Sequence, residues 1–191
     1  HMCVVLEDLF QDHNASAVLR SCDCFGIQDA YFVENQYEYR TNKDIDMGSK
    51  KWPNIHRYAE KDYNTVDCIR HLKDKGYRVV GTTPHTDQFI GELDVTSPIA
   101  LMFGTELSGI TEQAMQECDE LVRIPMYGFT ESFNISVSAA LSLSELTRRF
   151  RTENIDFRLS EAERDELLFD WTMKTVKASH QILNRYLEEN P

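Results

Sequence analysis

No apolar run in the 191-residue chain approaches the ~20 residues that a bilayer-spanning helix requires. No basic region followed by an apolar segment stands at the start, so no signal peptide is expected. His1-Met2 reads as a cloning remnant, with the native start expected further upstream. Disulfide chemistry lacks its usual signature too. The five cysteines, Cys3, Cys22, Cys24, Cys68 and Cys118, are odd in number and scattered, which argues for a reducing cytoplasm. Cys22-Asp-Cys24 has no second pair or histidine cluster to complete a metal site, so buried thiols are expected and no metal. The six histidines form no ligand pattern. There is no H-E-x-x-H, no G-x-S-x-G elbow, no G-x-G-x-x-G fingerprint and no Gly-Lys-Ser/Thr phosphate loop. Positive charge is scarce, with Lys plus Arg at 20 against Asp plus Glu at 32 and a net charge of −12. That balance counts against a broad phosphate-neutralising surface and favours a non-RNA binding module, but it permits a local basic face.

The length suits one domain around one sizeable core, and 41% hydrophobic residues is ordinary for a globular protein. Short apolar runs at Cys3–Leu6, Ala30–Val33, Arg78–Thr83, Ile99–Phe103 and Leu121–Ile124 predict strands covered on both faces. Helical patterns lie between them at Asn14–Phe25, Tyr63–Lys75, Thr111–Cys118 and Asn134–Arg151. The first two stop at glycines, Gly26 and Gly76. The alternation predicts an α/β domain with a largely parallel sheet. Ser160-Glu-Ala-Glu163 has the form of a capping box. It predicts one long helix to about Tyr186, docked on the domain, with Leu167, Leu168, Trp171, Val176 and Leu183 on its apolar side.

Three segments at strand ends are candidates for chemistry, because open parallel sheets bind ligands outside the carboxyl ends of their strands. In Asp12-His-Asn-Ala-Ser-Ala-Val-Leu-Arg20, Asn14 stands at a helix start, where it can cap free N–H groups. Ala15, Val18, Leu19 and Cys22 share one face, and Arg20 lies nearly opposite. Spacing alone favours Arg20 as a solvated partner of Asp23. In Leu101-Met-Phe-Gly-Thr-Glu-Leu-Ser-Gly109, a strand runs into Gly104, Glu106 and Gly109, where backbone can approach a ligand closely. In Ile124-Pro-Met-Tyr-Gly-Phe-Thr-Glu-Ser-Phe-Asn-Ile-Ser-Val-Ser138, Ser132 and Asn134 stand at the start of a helix rich in small residues. By themselves they are N-cap residues.

In this order, the three segments resemble the motifs of the SPOUT methyltransferases, in their SpoU/TrmH branch. The likeness runs from about Cys3 to Arg151 and more loosely into Leu159–Val176. Val4-Val-Leu-Glu7, His13-Asn14, Ala17-Val-Leu-Arg20, Gly109-Ile-Thr111 and Ile124-Pro-Met126 match residues of the branch's bacterial tRNA-modifying members. The resemblance implies a SPOUT domain over residues 1–155 with a deep trefoil knot at about 78–150, and a helical extension over 156–191. It implies an S-adenosylmethionine-dependent RNA 2′-O-ribose methyltransferase acting as a cytoplasmic homodimer that packs through the knot and shares its active site. tRNA at guanosine 18 is the implied substrate. Ribosomal RNA, or a non-catalytic RNA-binding role, are the alternatives.

The same resemblance assigns catalytic roles to Arg20, Asn14, Glu106, Ser132 and Asn134. It assigns the cofactor to Thr82, Thr83, Phe103, Gly104, Glu106, Leu107 and Gly109, with Ile124, Met126, Ser132 and Phe133 completing the pocket. The chain departs from the branch in two ways. Ser132-Phe-Asn-Ile-Ser136 replaces the usual Ser-Leu-Asn-Val-Ser, an apolar exchange that alters pocket shape. Of the basic terminal extensions of the tRNA enzymes, the N-terminal one is absent or trimmed, and the tail ends Leu187-Glu-Glu-Asn-Pro191. Arg148, Arg149, Arg151 and Arg158, with Lys50 and Lys51, are the remaining candidates for a basic face.

Overall fold

The structure, a computed structural model, describes residues 1–38, 51–105 and 108–190. Among them, β1 (Met2–Glu7), β2 (Asp29–Val33), β3 (Asn54–Tyr58), β4 (Arg78–Thr82), β5 (Ile99–Phe103) and β6 (Glu120–Val122) form one sheet in the order β3-β2-β1-β5-β4-β6. Every pairing is parallel, with Val4 opposite both Ala30 and Leu101 at the centre. The central strands are buried on both faces, as their continuous apolar runs predict.

Side chains alternate across the pleat into two cores. Val4, Leu6, Leu101 and Phe103 face α1 (Asp12–Phe25) and α4 (Ile135–Thr152). Cys3, Val5, Ala100 and Met102 face α2 (Thr65–Asp74) and α3 (Glu112–Glu117). The helices present matching stripes. Ala15, Val18, Leu19 and Cys22 of α1 meet Ile135, Ala139, Leu143, Leu146 and Phe150 of α4. Gly26 ends α1 at φ +75°, and the Ile27 N–H reaches back to the Cys22 carbonyl at 2.8 Å.

Several expectations are corrected. β3 is an edge strand with half-exposed residues and a charged Arg57, so it carries no apolar run to betray it. β6 closes at Val122. Arg123 makes only an isolated bridge to Phe89. Helix α1 begins at Asp12, with Gln11 as its cap residue, so Asn14 lies inside the first turn and is no cap.

Residues 158–190 form a separate unit. The capping box at its start is present, with the Glu163 N–H donating to Ser160 Oγ at 3.3 Å and the Ser160 N–H to Glu163 Oε2 at 2.8 Å. The single long helix is instead two, α5 (Glu161–Thr175) and α6 (Ser179–Glu189). Val176 turns extended and Ala178 takes the left-handed region at φ +62°, where an i→i−4 ladder cannot continue. No helix among the described residues is long and apolar enough to cross a membrane.

At the carboxyl end of β1, Glu7 is 1% exposed. A buried carboxylate is tolerable only when its oxygens are hydrogen-bonded. Thr65 Oγ1 donates to Glu7 Oε1 at 2.6 Å, Thr111 Oγ1 to the same oxygen at 2.9 Å, and the Thr111 N–H to Oε2 at 2.8 Å. Glu7→Gln places an amide N–H2 among these donors. We expect it to cost about 1–3 kcal/mol, which lowers Tm by about 2–4 °C per kcal/mol in a chain of this size. An unchanged calorimetric Tm would show that the carboxylate is dispensable.

Candidate active site

Three loops leave the carboxyl ends of β4, β5 and β6 and enclose a cavity of about 250 Å³. It lies outside the carboxyl ends of the strands, the usual ligand position in such sheets. Its size is close to the lower end of small-molecule sites. After β4, Thr82 is held by its hydroxyl, which donates to the Met102 carbonyl at 2.9 Å, and the Thr83 N–H donates to the Val122 carbonyl at 3.0 Å. Both threonines line the cavity, as do Phe103, Gly104 and Gly109 of the second loop and Ile124 and Met126 of the third.

The second loop folds back on itself. The Thr105 N–H donates to the Gly109 carbonyl at 2.9 Å, and the Gly109 N–H returns to the Thr105 carbonyl at 3.0 Å. Thr105 Oγ1 also accepts the Ser108 N–H at 3.1 Å. Gly109 has φ +69°, in the region that favours glycine. Gly104 is required for a different reason. A Cβ there would overlap the backbone of Gly109 and Ile110. Glu106 and Leu107 lie outside the described residues. The base of this loop is pinned by Thr111, whose N–H and hydroxyl both bond Glu7.

The third loop ends at α4. Ser132 and Phe133 line the cavity, and Asn134 caps the helix by accepting the Ser136 N–H at 2.9 Å. The Asn134 Nδ2 also donates to Asn14 Oδ1 at 3.2 Å, while Asn14 Nδ2 donates to Gln11 Oε1 at 3.0 Å. Asn14 is buried. Two motifs 120 residues apart are thereby joined side chain to side chain. Arg20 is placed otherwise. It is exposed, is absent from the cavity wall, and makes no hydrogen bond or ion pair with any described residue, Asp23 included.

Most candidates for a basic face are occupied. Arg148 pairs with Glu145 at 2.7 Å and Arg149 with Glu153 at 2.6 Å. Arg151 donates to the Thr147 carbonyl at 3.0 Å. Lys51 is exposed, and Lys50 lies outside the described residues. Burial pushes the Cys22, Cys68 and Cys118 thiols up to about 12, so none serves as a nucleophile near neutrality. Among the described residues, no three of His, Cys, Asp or Glu converge where an ion would sit.

His85, Arg123 and Glu131 also line the cavity, and sequence reasoning missed them. Each lies one or two positions from a residue it did single out, so reading each loop whole was the available signal. The Arg123 guanidinium lies over the Phe89 ring at 4.4 Å, a cation–π contact that orients it.

Residues 1–144 match the SpoU rRNA Methylase family. The chain is 36% identical over 178 residues to a Borreliella burgdorferi protein named tRNA (guanosine(18)-2′-O)-methyltransferase, covering 93% of this chain and 80% of that one. The fold is similar to a crystal structure of an A. aeolicus TrmH/SpoU tRNA modifying enzyme, at TM-score 0.79 and 29% identity, over 92% of this chain and 90% of that one. It is also similar to an AdoMet-bound rRNA methyltransferase from Sinorhizobium meliloti, at TM-score 0.66 and 25% identity, over 78% of this chain and 56% of that one.

Because the Gly104 cradle has no room for a side chain, Gly104→Ala is expected to displace Gly109–Ile110 and reshape the cavity wall. Calorimetric titration with S-adenosylmethionine should show binding weakened at least ~10-fold, the equivalent of about 1.4 kcal/mol. Wild-type affinity in this variant would show that the loop can relax without affecting the pocket.

Proposed function

The chain belongs to the SpoU methylase family, and from that premise we propose that it is an S-adenosylmethionine-dependent RNA 2′-O-ribose methyltransferase acting on tRNA at guanosine 18. The observation that carries the reading is the cavity, where the loops holding Thr82, Gly104, Met126 and Ser132 meet. Its fit to the cofactor rests on the chemistry of the wall. Apolar Phe103, Ile124, Met126 and Phe133 suit a purine, while Thr82, Thr83 and Ser132 suit its polar edge and ribose. When bound, the cofactor supplies an electrophilic methyl group on a sulfonium sulfur.

This chain's residues hold the other reactant. A ribose 2′-hydroxyl is a poor nucleophile until its proton leaves, here to solvent water, and it must be held against the methyl carbon. Positioning of that kind supplies several kcal/mol of the barrier. A guanidinium is a poor proton acceptor, so Arg20 is given a different role. It binds the adjacent RNA phosphate and stabilises the developing alkoxide. Asn14 and Asn134, bonded to each other, fix helix α1 against the cofactor loop and so orient Arg20. Ser132, on the cavity wall, is available to hydrogen-bond the ligand.

Arg20 is away from its own chain's cavity and has no described partner. That supports a homodimer in which Arg20 of one protomer serves the pocket of the other. Exposed Val137 and Leu141 on α4, with exposed Tyr127 and Phe129 before it, are apolar surface that such an interface would cover. Within each protomer we propose the deep trefoil knot of the family over about residues 78–150, an exception to the rarity of knots. The family chemistry and the absence of a disulfide among the described cysteines support a cytoplasmic setting.

Arg20→Ala is expected to lower methyl transfer by ~10²-fold or more, while the Kd for S-adenosylmethionine stays at the wild-type value. Transfer from labelled cofactor to total tRNA and to ribosomal RNA, followed by mapping of the methylated nucleotide, checks both enzyme and substrate. Normal turnover by the arginine variant would sink its role. A label that lands only in ribosomal RNA would replace the substrate.

A further inference from the structure

Among the described residues, Phe10 and Tyr37 are the pair of aromatic rings that touch each other while both are exposed, at 69% and 38%. Their centroids are 5.0 Å apart and their planes cross at 70°. We propose that this pair is a stacking platform for a nucleobase of the RNA substrate, a reading that rests on the RNA methyltransferase function above.

Both rings are held in place before any ligand arrives. Asp8, buried and at φ +52°, turns the chain sharply before Phe10. Its Oδ1 accepts the N–H groups of Asn35, Gln36 and Tyr37 at 2.7, 2.8 and 3.4 Å. Asn35 Nδ2 adds bonds to Asp8 Oδ2 at 3.1 Å and to Thr65 Oγ1 at 2.9 Å. One carboxylate therefore ties the Phe10 loop to the Tyr37 loop. Preorganised rings stack on a ligand with little further loss of entropy.

The platform also connects to the active site. Phe10 precedes Gln11, which bonds Asn14, which bonds Asn134 beside the Ser132 and Phe133 wall of the cavity. It stands at the carboxyl ends of β1 and β2, in the loops that follow Glu7 and Val33.

Charge decides what kind of group the rings accept. Exposed Asp12 follows Phe10 closely in the chain and exposed Glu38 is next to Tyr37; Arg57, 4.0 Å from Glu38, is already bound by Glu34 at 2.7 Å, so carboxylates outnumber cations and an RNA phosphate is disfavoured there. A base presents an uncharged π face, and every base stacks. The platform also answers how a chain of net charge −12, with Arg148 and Arg149 neutralised by Glu145 and Glu153, holds RNA. Stacking replaces part of the phosphate contact that basic proteins use. Two rings are far too small an area for a stable protein interface of ~800 Å² per partner, which disfavours a second copy as the occupant.

The test compares wild type, Phe10→Ala, Tyr37→Ala and Phe10→Trp on an unmodified tRNA transcript with guanosine at position 18. Phe10→Ala should raise Kd and KM for the transcript by about 5- to 140-fold, the span of base–aromatic stacking. Phe10→Trp should restore binding. The loss should fall in KM and not in kcat, with S-adenosylmethionine affinity at the wild-type value. Because no phosphate contact is removed, the slope of log Kd against log salt should stay unchanged. Wild-type tRNA affinity in both alanine variants overturns the platform, as does a change in salt slope. A smaller sedimenting mass for Phe10→Ala assigns the rings to a self-interface and equally overturns it. If the wild type transfers no methyl group to any RNA, the enzyme reading fails and the platform fails with it. Active wild type with unaffected variants overturns the platform alone.

Discussion

The buried carboxylate of Glu7 is the contact on which the functional end of the molecule depends. It stands at the last residue of the central strand and accepts from Thr65 at the start of α2 and twice from Thr111 at the start of α3. Thr111 is also the far anchor of the Gly104–Ile110 loop and caps α3 by accepting the Ala114 N–H at 3.1 Å. One acid side chain thus sets the height of the Gly104–Ile110 loop above the sheet. Away from water such a group is costly unless satisfied, and its donors come from two segments distant from β1 and from each other, so each must be in place for the others to be stable.

Gly104 imposes the complementary constraint. The loop anchored by Glu7 must return so closely that Gly109 and Ile110 occupy the space of a side chain at position 104. The neighbouring Asn14–Asn134 bond does similar work between helices, locking the N-terminal turn of α1 to the end of the third loop. The cavity wall and helix α1 are coupled by a hydrogen bond whose partners are far apart in sequence. Local unfolding of either one would therefore disturb both.

Much of the fold was legible before the structure. The buried strands β1, β2, β4 and β5 announced themselves because strands covered on both faces are nearly all apolar. α1 and α4 announced themselves by helical spacing of Ala15, Val18, Leu19 and Cys22 and by the small-residue run after Asn134. β3 was not legible, since an edge strand needs hydrogen-bonding partners more than an apolar pattern. The break at Ala178 was not legible either, because alanine favours helix and only its backbone angle marks the turn. In the cavity, nine sequence candidates converge: Thr82, Thr83, Phe103, Gly104, Gly109, Ile124, Met126, Ser132 and Phe133. Arg123 and Glu131 join them only through loop geometry.

The sequence alone determined the α/β class, the family, and three candidate segments at strand ends, because residue type, period and motif order are local properties that survive without coordinates. Tertiary structure decided the rest. Glu7, an ordinary acid in the sequence, becomes a buried anchor, since burial exists only once distant segments cover it. Asn14 changes from a helix cap to the partner of Asn134. Arg20 turns away from its own cavity, because the helix face that packs on α4 fixes where the opposite face points. Phe10 and Tyr37, 27 positions apart in the chain, become neighbours only through the Asp8 carboxylate that gathers both loops.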